Sequence, residues 1–150
     1  MMLCLRFRMD GGSFGLDAAR ILELAPWVEL WPLKSAPAFV SGCFNYRGRM
    51  APAIDLSMLY VGKPAAKAFS TRLAIVKHPS GFLGLLLEGA VETVDIHDSE
   101  FQDACVRSSD TPFLGRMAVK GGELLQVVEI DSLLTDSVKK LLFKEEGASK

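Results

Sequence analysis

From Met1 to Asp10 the chain alternates, with Leu3, Leu5, Phe7 and Met9 on one side and Cys4, Arg6, Arg8 and Asp10 on the other. A period of two with one apolar face predicts a half-buried strand, because successive strand side chains point to opposite faces of a sheet. Gly11-Gly12 is expected to supply the positive φ values of a tight turn, and Ser13 to Leu24 to return as a second strand. Helix is the rival over Asp17 to Leu24, since Leu16, Ala19, Arg20 and Glu23 have no β preference. Pro26, Pro32 and Pro37 break up the next stretch, and Ala38 to Phe44 reads as a helical turn leading into a strand. Arg49 to Leu56 is apolar and extended, with Asp55 placed to cap a short helix over Leu56 to Tyr60. Gly62 to Ser70, rich in Ala and Lys with one Pro, is the most linker-like segment, and a subdomain boundary is expected near 62–70.

Arg72 to Lys77, Phe82 to Glu88 and Val91 to Ile96 are three short apolar runs separated by Pro79-Ser80-Gly81 and Gly89, the pattern of a meander. His97 to Thr111 is polar and irregular, and Phe113 to Val119 and Glu123 to Ile130 flank a Lys120-Gly121-Gly122 turn as a further hairpin. Leu134, Val138, Leu141 and Leu142 recur at helical spacing, which predicts a last helix docked on the core, and Glu145 to Lys150 is expected to fray. Ala53-Ile54-Asp55-Leu56-Ser57-Met58-Leu59 and Glu129-Ile130-Asp131-Ser132-Leu133-Leu134 both read as a strand, an Asp and a helical start. Two strand groups ending alike suggest two similar small barrels rather than one sandwich, with chance the competing explanation of so short an echo.

The 150 residues suffice for one compact domain or two small barrels, and 49% hydrophobic with 23% charged residues is a globular composition. A formal net charge of −1 offers no basic field for nucleic acid. Cys4, Cys43 and Cys105 are odd in number and far apart, so neither a disulfide framework nor a zinc site is indicated and a reduced compartment fits. With Arg6, Arg8 and Asp10 in its first ten residues the start does not read as a signal peptide, and Phe82 to Leu87 is far too short to span a bilayer. A cytoplasmic protein is expected.

Candidate chemistry changes this picture little. Gly11-Gly12-Ser13-Phe14-Gly15 matches the G-x-S-x-G of serine hydrolases, but that chemistry needs a strand-to-helix elbow and a histidine base, and here the stretch falls on a hairpin turn. His78 beside Pro79 and His97 in a polar bend are expected at the surface, without metal-ligand spacing. Asp95, Asp98 and Asp103 lack the glycine and closing glutamate of a calcium loop and read as a solvated face. No catalytic residue, cofactor or metal is expected.

The informative segment is Ala36-Pro37-Ala38-Phe39-Val40-Ser41-Gly42-Cys43-Phe44-Asn45-Tyr46-Arg47-Gly48-Arg49-Met50-Ala51-Pro52-Ala53-Ile54-Asp55-Leu56. Asn45, Arg47 and Gly48 form a polar kink between apolar strands. Arg47 either ties down its own loop through backbone carbonyls or projects its planar fork toward a partner. In this order and spacing the segment resembles the hallmark of the chemotaxis coupling (CheW-like) family: small-Pro-x-Phe-hydrophobic-x-Gly, Asn-x-Arg-Gly, Pro-x-hydrophobic-Asp-Leu. The resemblance extends over nearly the whole chain, through Phe14-Gly15-Leu16-Asp17 with Ile21-Leu22-Glu23-Leu24, and through Phe82 to Ile96, where Glu88 stands for the usual Asp.

The resemblance implies an all-β fold of two SH3-like five-stranded β-barrels packed together, with short helices and a C-terminal helix. It implies a non-catalytic adaptor that grips a methyl-accepting chemoreceptor with one surface and pairs with the regulatory domain of a chemotaxis-type histidine kinase through another, recruited to receptor clusters at the inner membrane. Gly42, Asn45, Arg47 and Gly48 fall at its receptor-facing positions, and Ile21 near another. Tyr46, Trp27, Trp31 and Cys43-Phe44 depart from the family's usual residues and favour a divergent, non-flagellar system. The alternatives are a regulatory module binding only kinase or only receptor and, more distantly, a small hydrolase using Ser13.

Overall fold

The computed structural model describes residues 1–27, 29–103 and 113–143, with the side chains of Val91 and Leu141 also outside the description. The strands are β1 Met2–Met9, β2 Gly12–Asp17, β3 Ile21–Pro26, β4 Val40–Tyr46, β5 Arg49–Asp55, β6 Arg72–His78, β7 Gly81–Ile96, β8 Leu114–Lys120 and β9 Glu123–Val128. The helices are α1 Leu56–Val61 and α2 Asp136–Leu142, with 3-10 turns at Ala18–Arg20, Asp98–Glu100 and Ile130–Ser132. No helix among the described residues is long and apolar enough to cross a membrane.

The strands form two groups built on one plan. In the first the order is β8-β9-β2-β1-β7, all neighbours antiparallel except β9 and β2. In the second it is β4-β5-β7-β6-β3, all antiparallel except β5 and β7. Each open end is tied by one backbone pair: Gln102, after β7, with Met117 of β8, and Trp31, after β3, with Cys43 of β4. Two five-stranded barrels result, as expected. The long strand β7 serves both, pairing β5 and β6 through Gly81–Leu87 and β1 through Glu88–Ile96.

The barrels are interleaved along the chain. Residues 62–70 join α1 to β6 inside the second barrel, so the pairing does not divide there; the chain crosses between barrels after β2 and again within β7. The first crossing corrects the expectation of one strand over Ser13 to Leu24. The Asp17 carboxylate accepts a hydrogen bond from the Ala19 amide at 3.0 Å and caps the 3-10 turn Ala18–Arg20, which re-aims the chain into β3. The second crossing corrects the meander, since Gly81–Ile96 is a single strand whose register against β1 shifts opposite Gly89. The first hairpin turn is also one residue earlier than expected, with the positive φ values at Asp10 (47°) and Gly11 (77°).

Alternation sorts the core into three layers. Leu5, Phe7 and Leu16 of the first barrel meet Ile54, Val76, Leu83, Leu85 and Leu87 of the second in a shared central layer. Phe44, Tyr46, Leu73, Ile75 and Leu86 fill the second barrel, and Cys4, Ile96, Ala118, Leu125 and Val127 fill the first. Full burial of each Leu, Ile or Phe is worth about 1.5–3 kcal/mol, so the shared layer binds the barrels into one unit. Val138 and Leu142 of α2, and Leu134 just before it, pack on that layer as expected. The Leu141 side chain, Cys105 and the segment 145–150 lie outside the description.

Candidate functional site

Four of the five sequence-derived site residues lie on one hairpin. β4 and β5 pair from Val40 with Ile54 to Tyr46 with Arg49, leaving Arg47-Gly48 as a two-residue turn with φ values of 50° and 83°. Positive φ at both positions is the type I′ geometry, one of the two turns whose twist matches the right-handed twist of the strands in a hairpin of this length. Asn45 holds the turn from inside, its Oδ1 accepting the Gly48 amide at 3.0 Å. The spacing Asn-x-Arg-Gly is thus first a turn-forming device.

Arg47 is out of keeping with that role. The left-handed region costs a β-carbon residue about 1–2 kcal/mol, and Asn, Asp or Gly are the usual occupants. Asp10-Gly11 and Gly121-Gly122, the two-residue turns of two other hairpins, obey the rule. Arg47 is exposed and donates no hydrogen bond among the described residues. Its guanidinium lies 5.1 Å from the centroid of the Tyr46 ring. Tyr46 is buried and meets the Phe82 ring edge-on, 5.0 Å between centroids, so the stem of Arg47 stands on a fixed platform. Of the two possibilities for Arg47, the loop tie through carbonyls is not what the geometry contains.

Gly42 works through its backbone. It is buried at φ 146°, and a β-carbon there would lie 2.4 Å from the Trp31 carbonyl oxygen. That carbonyl accepts the Cys43 amide at 2.7 Å, and the Trp31 amide donates back to the Cys43 carbonyl at 2.9 Å. Gly42 therefore lets the strand close the barrel. Ile21 stands apart, on β3 opposite Val76, half-buried against the central layer.

The hallmark carboxylate is likewise architectural. Asp55 is buried; its Oδ1 accepts the Met58 amide at 3.1 Å and caps α1, as expected, while Oδ2 accepts the Ala65 amide at 2.9 Å. Glu88 accepts the Ala66 amide at 2.7 Å, so the loop over residues 62–70 is pinned at two successive amides.

Sequence reasoning missed the surface around the hairpin. Trp31 is 70% exposed and Met50 50%, and the backbone pairs Trp31 with Cys43 and Met50 with Asn45 place them along the outer side of β4. Counting alternation outward from buried Phe44 and Tyr46 would have found Met50; Trp31 depends on a long-range pair that no local pattern encodes.

The first barrel offers the contrasting hairpin, β8–β9. Val119 and Leu124, paired across it, are 63% and 53% exposed. Its tip is tied down. Arg6, with a side chain 11% exposed, donates Nη1 to Glu92 at 3.0 Å and Nη2 to the Lys120 carbonyl at 2.9 Å. Arg8 grips both oxygens of Glu123, holding that carboxyl below its usual range. Lys120 reaches Glu100 at 3.0 Å, and Glu100 is held low first by the His97 amide and then by Lys120.

The residues weighed for other chemistry are dispersed. Ser13 is buried inside β2, after a hairpin turn rather than at an elbow, and neither histidine is bonded to it. His97 is exposed as expected, but His78 is wholly buried, which corrects its expected surface position: it continues the inward phase of Ala74 and Val76. Asp95, Asp98 and Asp103 are exposed. The Cys4 thiol is pushed up to about 11, chiefly by burial and then by Asp17.

Comparison with known proteins agrees with this architecture. A chemotaxis protein CheW from Rhizobium meliloti is 26% identical over 129 residues, covering 85% of this chain and 83% of that protein. One from Bacillus subtilis is 18% identical over 130 residues, covering 85% and 83%. The crystal structure of the scaffolding protein TtCheW from Thermoanaerobacter tengcongensis superposes with a TM-score of 0.82 at 22% identity, covering 91% of this chain and 90% of that one. The model of the CheW-like domain matches residues 3–138, and the chain belongs to that family.

Proposed function

We propose that this protein is a non-catalytic adaptor that couples a methyl-accepting chemoreceptor to a chemotaxis-type histidine kinase in a cytoplasmic signalling array at the inner membrane. The observation that carries the proposal is Arg47: an exposed cation held in a left-handed backbone conformation at a hairpin tip, on a buried aromatic platform. Backbone strain of this kind persists where the surroundings over-determine it, and it gathers at binding sites. Membership of a family whose relatives are named chemotaxis and scaffolding proteins supplies the setting.

In this reading Asn45 and Gly48 shape the turn, Gly42 fixes the strand beneath it, and Arg47 meets a carboxylate or backbone carbonyls of the receptor. Ile21 belongs to the same partner through a separate contact. The kinase-facing surface is apolar, with the Val119–Leu124 pair its candidate, since the core of a protein–protein interface is depleted in charge. The bulky Tyr46 and the exposed Trp31 favour a divergent array with a non-flagellar output. The test is reconstitution with a receptor signalling fragment and a kinase regulatory domain. The proposal expects a complex of all three, with kinase binding that changes little between low and physiological salt and is weakened by Leu124→Glu. A protein that binds only one partner is instead a regulatory module, and a steep salt dependence of kinase binding places charge rather than apolar contact at that interface.

A further inference from the structure

The end of α2 is fastened to the second barrel at a histidine. His78 ends β6 on the face of Ala74 and Val76 and is wholly buried. Its Nδ1 accepts the Ser80 amide at 3.0 Å, so the single ring proton resides on Nε2, which is buried without a partner among the described residues. Phe143, which ends α2, lies parallel to the imidazole, with 6.3 Å between centroids and 4° between planes. The same ring occupies the space over Gly81, where a β-carbon would fall 2.9 Å from Phe143 Cε1. Val138 and Leu142 complete the docking against the central layer.

The charged groups around this contact come from three further elements. Lys139 faces His78 from α2, Arg20 from the 3-10 turn Ala18–Arg20, and Asp131 from the turn Ile130–Ser132. Asp131 is already committed to Arg20 at 2.7 Å, and Arg20 also donates to the Lys77 carbonyl at 2.9 Å. Lys77, the neighbour of His78 on β6, sends its ammonium over the Phe82 ring instead. Among the described residues the one carboxylate facing the imidazole is thus paired with Arg20, while Lys139 keeps its ammonium 3.6 Å from the exposed Asp136 carboxylate and still faces the ring.

We propose that His78 and Phe143 form an acid-releasable latch, in which protonation of His78 frees α2 from the β6–β7 turn. The incoming proton binds Nδ1, the atom that accepts the Ser80 amide. Nδ1 becomes a donor facing a donor, that hydrogen bond is lost, and a full positive charge lies in an apolar pocket beside Lys139. Undocking Phe143 admits water to the ring, carries Lys139 away with α2 and leaves the ring room to turn from the Ser80 amide. Burial, with Lys139 next, already holds His78 below its ordinary value of 6.5. A lowered value in the docked state means that docking is strongest above 6.5 and is lost as the pH falls from there through the lowered value. Within that window the docking equilibrium weakens by up to about tenfold per pH unit, and below it the loss levels off.

Amide hydrogen exchange on the full chain at pH 7.5 and pH 5, corrected for the chemical exchange rates, reads this directly. The latch predicts that Asp136–Leu142 lose protection on acidification, by up to about tenfold for each pH unit between 6.5 and the lowered value, while Leu83–Leu87 keep theirs. It predicts that His78→Phe, which keeps a ring but cannot titrate, holds α2 equally at both pH values. Loss of α2 protection in His78→Phe equal to that of the unaltered chain would overturn the latch. So would α2 protection that persists at a pH where the ring resonances show His78 protonated. Phe143→Ala gives an independent reading: uncovering the imidazole should raise its titration midpoint toward 6.5, and an unchanged midpoint contradicts the latch.

Discussion

The hairpins β4–β5 and β8–β9 occupy the same place in two barrels of one plan, and they treat arginine in opposite ways. At β8–β9 the tip is Gly121-Gly122, which takes its turn without strain, and Arg6 and Arg8 reach up from β1 to fasten it. At β4–β5 the arginine is itself in the turn, strained and exposed, with an aromatic ring beneath it. One tip is held by cations and the other displays a cation. The difference teaches that topology alone assigns no role to a hairpin; what separates a fastened tip from a presenting one is whether its charges find acceptors inside the chain.

The largest expected effect is at Gly42. Gly42→Val combines an unfavourable φ with a β-carbon against the Trp31 carbonyl, and should lower stability by roughly 2–5 kcal/mol, strain and overpacking together, read as the shift in denaturant midpoint. A near-neutral result would show that Trp31 does not close the barrel. Next comes Arg6→Met, which leaves the Lys120 carbonyl without its donor and should cost about 1–3 kcal/mol, with faster amide exchange in β8–β9 than in β4–β5. Equal loosening of both hairpins would erase the distinction between them.

The fold was readable where one period dominates. β1 follows from alternation, although Cys4 and Arg6 on its expected open face are buried as well. β5 follows from an apolar run, β9 from the glycine turn before it, and α1 from a capping Asp in front of an apolar run. The crossings between barrels were not readable, because each depends on a local competitor to sheet pairing: the Asp17 cap after β2 and the bulged register at Gly89 in β7. The site was legible in part. Asn45, Arg47 and Gly48 stood out as a polar kink, and the structure brings them together in one turn. The resemblance places Gly42 at a receptor-facing position, and a glycine in a motif does not announce that its backbone also closes the barrel against Trp31. The buried position of His78 follows the phase of Ala74 and Val76, which the adjoining Pro79 turn masks in the sequence.

A smaller effect concerns acid. Glu123, held low by Arg8, and Glu100, held low by the His97 amide and Lys120, have lowered values in the folded chain. Their contribution is fully present above the ordinary carboxyl value of 4.5 and is lost as the pH falls from there through the lowered values. Arg8→Ala should therefore flatten the acid limb of the stability profile slightly, whereas Arg47→Ala should leave its shape unchanged.

Whether Arg47 serves a partner, as proposed, or the fold is decided by one paired measurement on Arg47→Ala: thermal stability beside affinity for a receptor signalling fragment. Affinity should weaken by roughly 1–3 kcal/mol, the range for an interface arginine, with stability lowered by less than that and kinase affinity hardly changed. A variant that melts markedly earlier while its folded fraction binds the receptor normally would contradict the account and return Arg47 to the scaffold.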